Sequence, residues 1–180
     1  PGVVPLSNVM ACGLGSMNPV VHPAGVLMNA GRIEYSRGEF YFYDEGVTPG
    51  VVRVIEKVDK DRRAIGQAVG VELCTVAEGF HRAGFGPKGN LWEVLNGSRM
   101  LTQLKAPLVL ENRWLTEDTP YGLGAWASMG EQFNVATPAI DSIIELASII
   151  TQLDCRTAGR TVRELGIEGM DKGAIRALLG

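Results

Sequence analysis

Three features of the 180-residue sequence predict an all-α fold. Apolar residues recur at helical spacing through two long segments, a Thr-Pro pair opens each of them, and only one short run reads as a strand. In chain order, the segment 18–36, NPVVHPAGVLMNAGRIEYS, reads as one helix with apolar residues over most of its circumference. Phe40–Tyr43 is the strand-like run; its neighbours supply no pairing partner, so it is expected to be an extended connector packed on the core by its rings. From Val51, the residues Val51, Val52, Ile55, Val58, Ile65 and Val69 share a helical face, with Asp and Arg between them. Thr48 caps that helix, and Pro49 takes the first helical position, where its missing N–H is not needed. Gly70 ends it. Shorter helices are expected over about 73–83, 91–95 and 123–133. Thr137-Pro138 opens a helix with the buried stripe Ile140, Ile143, Ile144, Ala147 and Ile150. Thr161 with Glu164 forms a capping box for a short helix, and Asp171 caps the last one. No internal repeat and no Pro/Ser-rich linker divides the chain, so residues 1–180 are expected to form one helical domain.

Composition narrows the function classes. With 17 Lys+Arg against 20 Asp+Glu the net charge is −3, which gives no basic field and argues against nucleic acid as a partner. No apolar stretch reaches the roughly 18–20 residues of a membrane span, and no basic-then-apolar signal peptide is read at the N-terminus. Cys12, Cys74 and Cys155 are odd in number and far apart, which argues against a disulfide framework or a zinc site and fits a reducing cytoplasm. All three are expected to fill the core. Glycine is abundant, 23 residues against an average of about 7%. Scattered through a helical chain, it suggests helix ends and close backbone approaches.

One helix carries an unusual polar pattern. On a wheel of 100° per residue, Asn18, His22, Gly25, Asn29 and Arg32 fall within an arc of about 80°, with Val20, Ala24, Leu27 and Gly31 opposite. A surface helix has a broad charged face. A narrow stripe of Asn, His and Gly instead suggests a buried helix lining a polar cleft, although a Pro23 kink with an internally hydrogen-bonded His22 fits the same spacing. His81, the second of two histidines, lies among polar residues and reads as a boundary residue. A further cluster, ENRWLTEDTPYGLGAW, spans 111–126. There Asp118 is a candidate partner for a histidine and Arg113 a fork for a carboxylate. Equally, Glu117 and Asp118 suit the first turn of a helix, with Arg113 paired to Glu117 at the surface. Trp92, Trp114 and Trp126 read as core, Trp114 being the exception that could line a substrate site.

Taken in order, these segments resemble the C-terminal helical domain of the octopine/nopaline (opine) dehydrogenase family, a multi-helix domain similar to that of 6-phosphogluconate-type dehydrogenases. The resemblance rests on PLSN at 5–8, NPVVHPAGVLMNAGRIE at 18–34, FYFYDEGVTP at 40–49, RWLTEDTPYGL at 113–123, ATPAID at 136–141 and GRTVRELGIEG at 159–169. It implies that His22 is the catalytic histidine, Asp118 its carboxylate partner and Arg113 the holder of a keto-acid carboxylate. Asn18 and Asn29, on the same stripe as His22, are the accompanying substrate-binding candidates.

The implied reaction is NAD(P)H-dependent reductive condensation of an α-keto acid with an amino acid, giving a secondary amine dicarboxylate. Family members begin with a Rossmann domain, and this chain shows none. Gly13-Leu14-Gly15 offers G-x-G, but Asn18 stands where the third glycine belongs and no apolar strand precedes it. These glycines read as helix-packing positions. The chain is therefore expected to be one part of a longer enzyme, to partner an N-terminal Rossmann domain that binds NAD or NADP, and to be inactive and without cofactor affinity alone. A homodimer is the candidate assembly.

Two other readings stand beside it. Helical domains of other 2-oxo- or hydroxy-acid dehydrogenases, such as those of glycerol-3-phosphate dehydrogenase or ketopantoate reductase, rely on a cleft lysine; Lys57, Lys60, Lys88, Lys105 and Lys172 all lie in segments that read as exposed. A non-catalytic helical dimerisation domain would use the polar stripe as a packing seam.

Overall fold

A computed structural model of the chain describes residues 5–179. Ten α-helices are present among the described residues. Their bounds are α1 Val9–Leu14, α2 Asn18–Met28, α3 Ala30–Ser36, α4 Pro49–Val69, α5 Val76–Arg82, α6 Leu91–Asn96, α7 Arg113–Thr116, α8 Gly124–Phe133, α9 Pro138–Thr151 and α10 Lys172–Leu179. Two wider π-turns, Phe42–Gly46 and Asp118–Leu123, interrupt the α-helical pattern. The described residues form no β-strand; one isolated antiparallel bridge joins Tyr41 to Lys105.

α2 is the central helix. Every residue from Pro19 to Val26 is buried, and the helix packs against α4, α7, α9 and the 118–123 π-turn. Burying side chains such as Val20, Val21 and Val26 contributes about 1.5–3 kcal/mol each. Two glycines set how closely its neighbours approach. A Cβ on Gly25 would overlap the Phe42 ring, and one on Gly122 would lie 2.5 Å from Pro19 Cγ. The first contact seats the 42–46 turn on α2; the second seats the 118–123 turn on its first helical turn. Gly13 and Gly15 do not pack other helices: a Cβ at Gly13 meets nothing within 4 Å, and one at Gly15 meets Ala11 O of its own helix.

α4 follows its expected pattern, with Val51, Val52, Ile55, Val58, Ile65 and Val69 buried and Gly70 at its end. It also buries charge. Arg62 donates to Asp59 Oδ1 at 3.0 Å from Nε and at 2.6 Å from Nη2, to Leu14 O and to Cys74 O, both at 2.7 Å. This guanidinium therefore ties α1 and the 74 loop to α4.

Several expected elements differ. The 18–36 segment is two helices: α2 runs through Pro23 and stops at Asn29, whose amide donates to Gly25 O at 2.9 Å and Gly46 O at 3.0 Å. Arg32 consequently leaves the polar stripe, pairs with Glu45 and lies over the Phe40 ring. Phe40–Tyr43 does find a partner, since Phe42 N donates to Leu104 O at 2.8 Å and Ala106 N to Phe40 O at 2.9 Å. Only half of the expected Thr161–Glu164 box forms, Thr161 N donating to Glu164 Oε2 at 2.9 Å while the Thr161 hydroxyl accepts from Arg163 N at 3.2 Å. It surrounds a turn that never becomes a helix. Asp171 does cap α10, accepting from Ala174 N at 2.7 Å. Of the three cysteines only Cys155 is buried; Cys12 is exposed. Trp126 is core, whereas Trp92 is exposed.

Thr137 does not cap α9 with its side chain. Asp61, from buried α4, does so: its Oδ2 accepts from Ala139 N at 2.8 Å and Ile140 N at 3.3 Å. Burial, more than any other influence, raises the Asp61 carboxyl above its usual range, against these two hydrogen bonds. The folded state therefore holds the Asp61 proton more tightly than the unfolded chain does. That contribution is complete below the ordinary carboxyl value of about 3.9 and is lost as pH rises through the raised value. Asp61→Ala should cost about 1 kcal/mol by orphaning the α9 N–H groups. Asp61→Asn, whose amide oxygen can still accept, should be at least as stable as wild type at neutral pH. Denaturant midpoints compare the three, and equal losses in both variants would contradict this cap.

Candidate active site

His22 sits in the middle of α2, and both of its ring nitrogens are engaged. Nδ1 lies 2.8 Å from Asp118 Oδ2, and Nε2 lies 3.2 Å from the Tyr43 hydroxyl. The ring stacks on Trp114, with centroids 4.5 Å apart and planes 12° apart. His22 and Asp118 are 96 positions apart in sequence. The fold brings them together because Gly122 lets the 118–123 turn close onto Pro19, one helical turn from His22. Asp118 opens that π-turn and Tyr43 lies inside the other one; such wide turns are frequent at functional sites.

The pair is not sealed. Side-chain exposure is 11% at His22 and 18% at Asp118, and both line an open pocket of about 210 Å³ with Asn18, Arg113, Trp114 and Glu117. No lysine lines this pocket, so the lysine-dependent alternative has no residue here to use. Arg113 stands at the mouth with 85% of its side chain exposed. Its Nε donates to Glu117 Oε2 at 2.6 Å and its Nη2 to Glu117 Oε1 at 3.1 Å. Each holds the other in its charged form: Glu117 raises the guanidinium, and Arg113 lowers the carboxyl below its usual range.

Of the sequence candidates, His22, Asp118, Arg113 and Asn18 meet at this pocket. Asn29 does not. Its two donated bonds to backbone carbonyls close the end of α2 and tether the 42–46 turn, so it acts in packing rather than beside a ligand. Trp114 lines the pocket as the wall under the imidazole, and it meets Phe42 edge-on at 4.8 Å. Two residues escaped the sequence reading of the site. From the sequence Glu117 reads as a first-turn helix residue and surface partner for Arg113, and Tyr43 as packing; the hint for Tyr43 is a phenol hydroxyl within an aromatic run.

Chemically, the pocket can exchange a proton through an imidazole oriented by a carboxylate, and it can bind an anion at Arg113. It does not offer a dinucleotide cradle. Gly13 lies within α1 and Gly15 caps it, and among the described residues no strand leads into them to form a phosphate-binding turn. Among the described residues, no group of three or more His, Cys, Asp or Glu side chains is placed to hold a metal ion. No helix is long and apolar enough to cross a membrane among those residues. A larger depression of about 560 Å³ beside Lys60, Arg63 and Glu72 contains no histidine and no comparable convergence of groups.

The likeness to known proteins agrees with this architecture. Residues 5–151 match the family described as NAD/NADP octopine/nopaline dehydrogenase, alpha-helical domain. An opine dehydrogenase of Arthrobacter sp. (strain 1C) is 34% identical over 177 residues, 98% of this chain and 49% of that protein. A vitopine synthase of Allorhizobium ampelinum is 29% identical over 154 residues, covering 84% of this chain and 42% of its own length. The chain thus spans about half the length of the curated relatives it matches. A solved octopine dehydrogenase described with NADH and L-arginine shares the fold, with a TM-score of 0.67 at 17% identity over 90% of this chain and 47% of that one. A second, described with NADH and agmatine, superposes with the same TM-score. By its sequence match, and with a helical fold to correspond, the chain belongs to the octopine/nopaline dehydrogenase family and represents its α-helical domain.

Proposed function

We propose that residues 1–180 form the substrate and acid–base domain of an NAD(P)H-dependent opine dehydrogenase, which condenses an α-keto acid with the amino group of an amino acid. The observation that carries this reading is the convergence of His22, Asp118 and Arg113 on one open pocket. The rest of the protein would hold the dinucleotide, which supplies the hydride when bound; its own site would complete a cleft between domains. Family membership and three free thiols fit a cytoplasmic enzyme.

Within this chain the roles follow from residue chemistry. Carbinolamine formation and its dehydration to an imine each move protons near neutral pH, which suits imidazole. His22 would exchange those protons with substrate at Nε2, the substrate atom taking over that nitrogen from the Tyr43 hydroxyl, which lies 3.2 Å from it in the free protein. Asp118 would hold the Nδ1 proton and stabilise the imidazolium, as carboxylates do in other His–Asp pairs. Arg113 would clamp the keto-acid carboxylate with two parallel hydrogen bonds and present its carbonyl carbon. In the free protein Glu117 occupies that fork with the same two-bond geometry a substrate carboxylate would use. The pair is solvent-exposed, so displacing Glu117 costs little.

Opposite effects on keto-acid affinity are therefore expected. Arg113→Ala should raise the keto-acid KM about tenfold or more, the loss of a charge-assisted pair. Glu117→Gln should lower it a few-fold. Steady-state kinetics at saturating amino acid separates them, and a KM unchanged in both variants would reject the clamp.

The function itself is tested in the protein joined to its dinucleotide-binding half. NADH or NADPH should be oxidised only when a keto acid and an amino acid are both present, with a secondary amine dicarboxylate detected by mass spectrometry. Oxidation with the keto acid alone, yielding a hydroxy acid, would overturn it.

A further inference from the structure

We propose that Tyr43 is a positioning residue for His22: its buried hydroxyl keeps Nε2 as the lone-pair nitrogen of the neutral ring and then accepts from that nitrogen once the ring is protonated. This rests on the reading of His22 as the acid–base residue and adds a second partner to it, on the side opposite Asp118.

The assignment follows from donor and acceptor capacity. A carboxylate can only accept, so the 2.8 Å contact with Asp118 places a proton on Nδ1. In the neutral ring Nε2 is then an acceptor and needs a donor, and the group 3.2 Å away is the Tyr43 hydroxyl. Burial pushes that phenol well above its ordinary value, with the Asp118 charge adding to the effect, so it keeps its proton and donates. When the imidazole takes up a proton, Nε2 becomes a donor. A phenol hydroxyl can rotate and accept, so one oxygen serves both states.

The hydroxyl is held in place by its surroundings. Tyr43 is 2% exposed and meets Phe42 edge-on at 5.1 Å; Phe42 in turn occupies the space left by Gly25. Asn29 tethers the end of the turn at Gly46 O, and Glu45 accepts from Tyr41 N at 2.8 Å at its start. Stacking on Trp114 restrains the imidazole from turning away. The polar and charged groups facing His22 are thus Asp118 from one π-turn, Tyr43 from the other, the mutually paired Arg113 and Glu117 at the mouth, and Asn18 on its own helix.

Removing the phenol oxygen withdraws a charge-assisted acceptor from the imidazolium and only a neutral donor from the free base. The former bond is roughly twice as strong, so the proton should be held less tightly. The test is ¹⁵N-histidine long-range ¹H–¹⁵N spectroscopy of the 180-residue chain across pH, with His81→Gln to assign the single remaining histidine. Wild-type His22 should appear as the Nδ1–H tautomer when neutral. Tyr43→Phe should weaken its proton affinity about tenfold, roughly one pH unit in the midpoint. A merely structural tyrosine would leave the midpoint in place.

An unchanged or raised midpoint in Tyr43→Phe would overturn the proposal. A wild-type ring carrying its proton on Nε2 would do the same even if the variant failed to fold. Because this readout needs no turnover, it is independent of whether the joined enzyme makes an opine.

Discussion

Alanine in place of His22 should lower turnover of the joined enzyme by about 10²–10⁴, the scale of a positioned acid–base group. The effect should fall on kcat, since the carboxylate fork at Arg113 is untouched and keto-acid binding survives. The substitution also empties space in the middle of α2, where His22 is 9% exposed and stacked on Trp114. Some stability is therefore lost, and the comparison needs an unfolding curve showing that the variant is folded at the assay temperature. A smaller side chain cannot be rescued by packing alone, but added imidazole could restore part of the lost rate by entering the vacated site. Retention of full kcat in a folded variant would remove His22 from the mechanism.

The second large effect is expected at Asp118. Asparagine there keeps the size and the half-buried position, but its amide can turn an N–H toward Nδ1. The ring would then adopt the other tautomer, with its proton directed at Tyr43, and the imidazolium would lose its counter-charge. Equivalent changes in other His–carboxylate pairs cost on the order of 10⁴ in kcat. The pH dependence carries the diagnostic sign. Without the carboxylate the imidazolium is less favoured, so the limb of the kcat/KM profile assigned to His22 should move to lower pH. A variant with a normal profile and normal kcat would mean that the 2.8 Å contact is only structural.

How legible the protein was depended on how local each cause is. α4 could be read directly because its causes are all within the segment: Pro49 at the first helical position, helical apolar spacing, and Gly70 at the end, although the Thr48 side chain makes no capping bond. The stripe of α9 was legible for the same reason, but the group that caps it was not. Asp61 reaches Ala139 from 78 positions away, and nothing in the sequence of α9 points to it. The break at Asn29 has a similar origin: its amide is drawn to Gly46 O, 17 positions on, and this tertiary contact ends a segment whose composition would continue as helix. Drawing one wheel across that break placed Arg32 and Asn29 in the stripe with His22, where neither contributes to the pocket.

The site was legible as residue types and illegible as geometry. A narrow stripe around His22 indicated a polar cleft, and the Glu-Asp pair after Arg113 offered a carboxylate. Their union depends on Gly122 meeting Pro19, a packing detail that spacing does not encode. Only the ordered resemblance to a family linked position 22 to position 118 beforehand. Tyr43 stayed hidden because an aromatic run that packs a core and one that also presents a hydroxyl to a histidine have the same sequence.

The central claim is that His22 and Asp118 act as one unit, and a double-mutant cycle on kcat/KM of the joined enzyme tests it most directly. His22→Ala, Asp118→Asn and the combined variant are compared with wild type under one set of conditions. The account predicts that the combined variant is no slower than His22→Ala alone, because the carboxylate has nothing left to orient. Losses that multiply, with the combined variant slower by the product of the two single effects, would show two independent residues and contradict it.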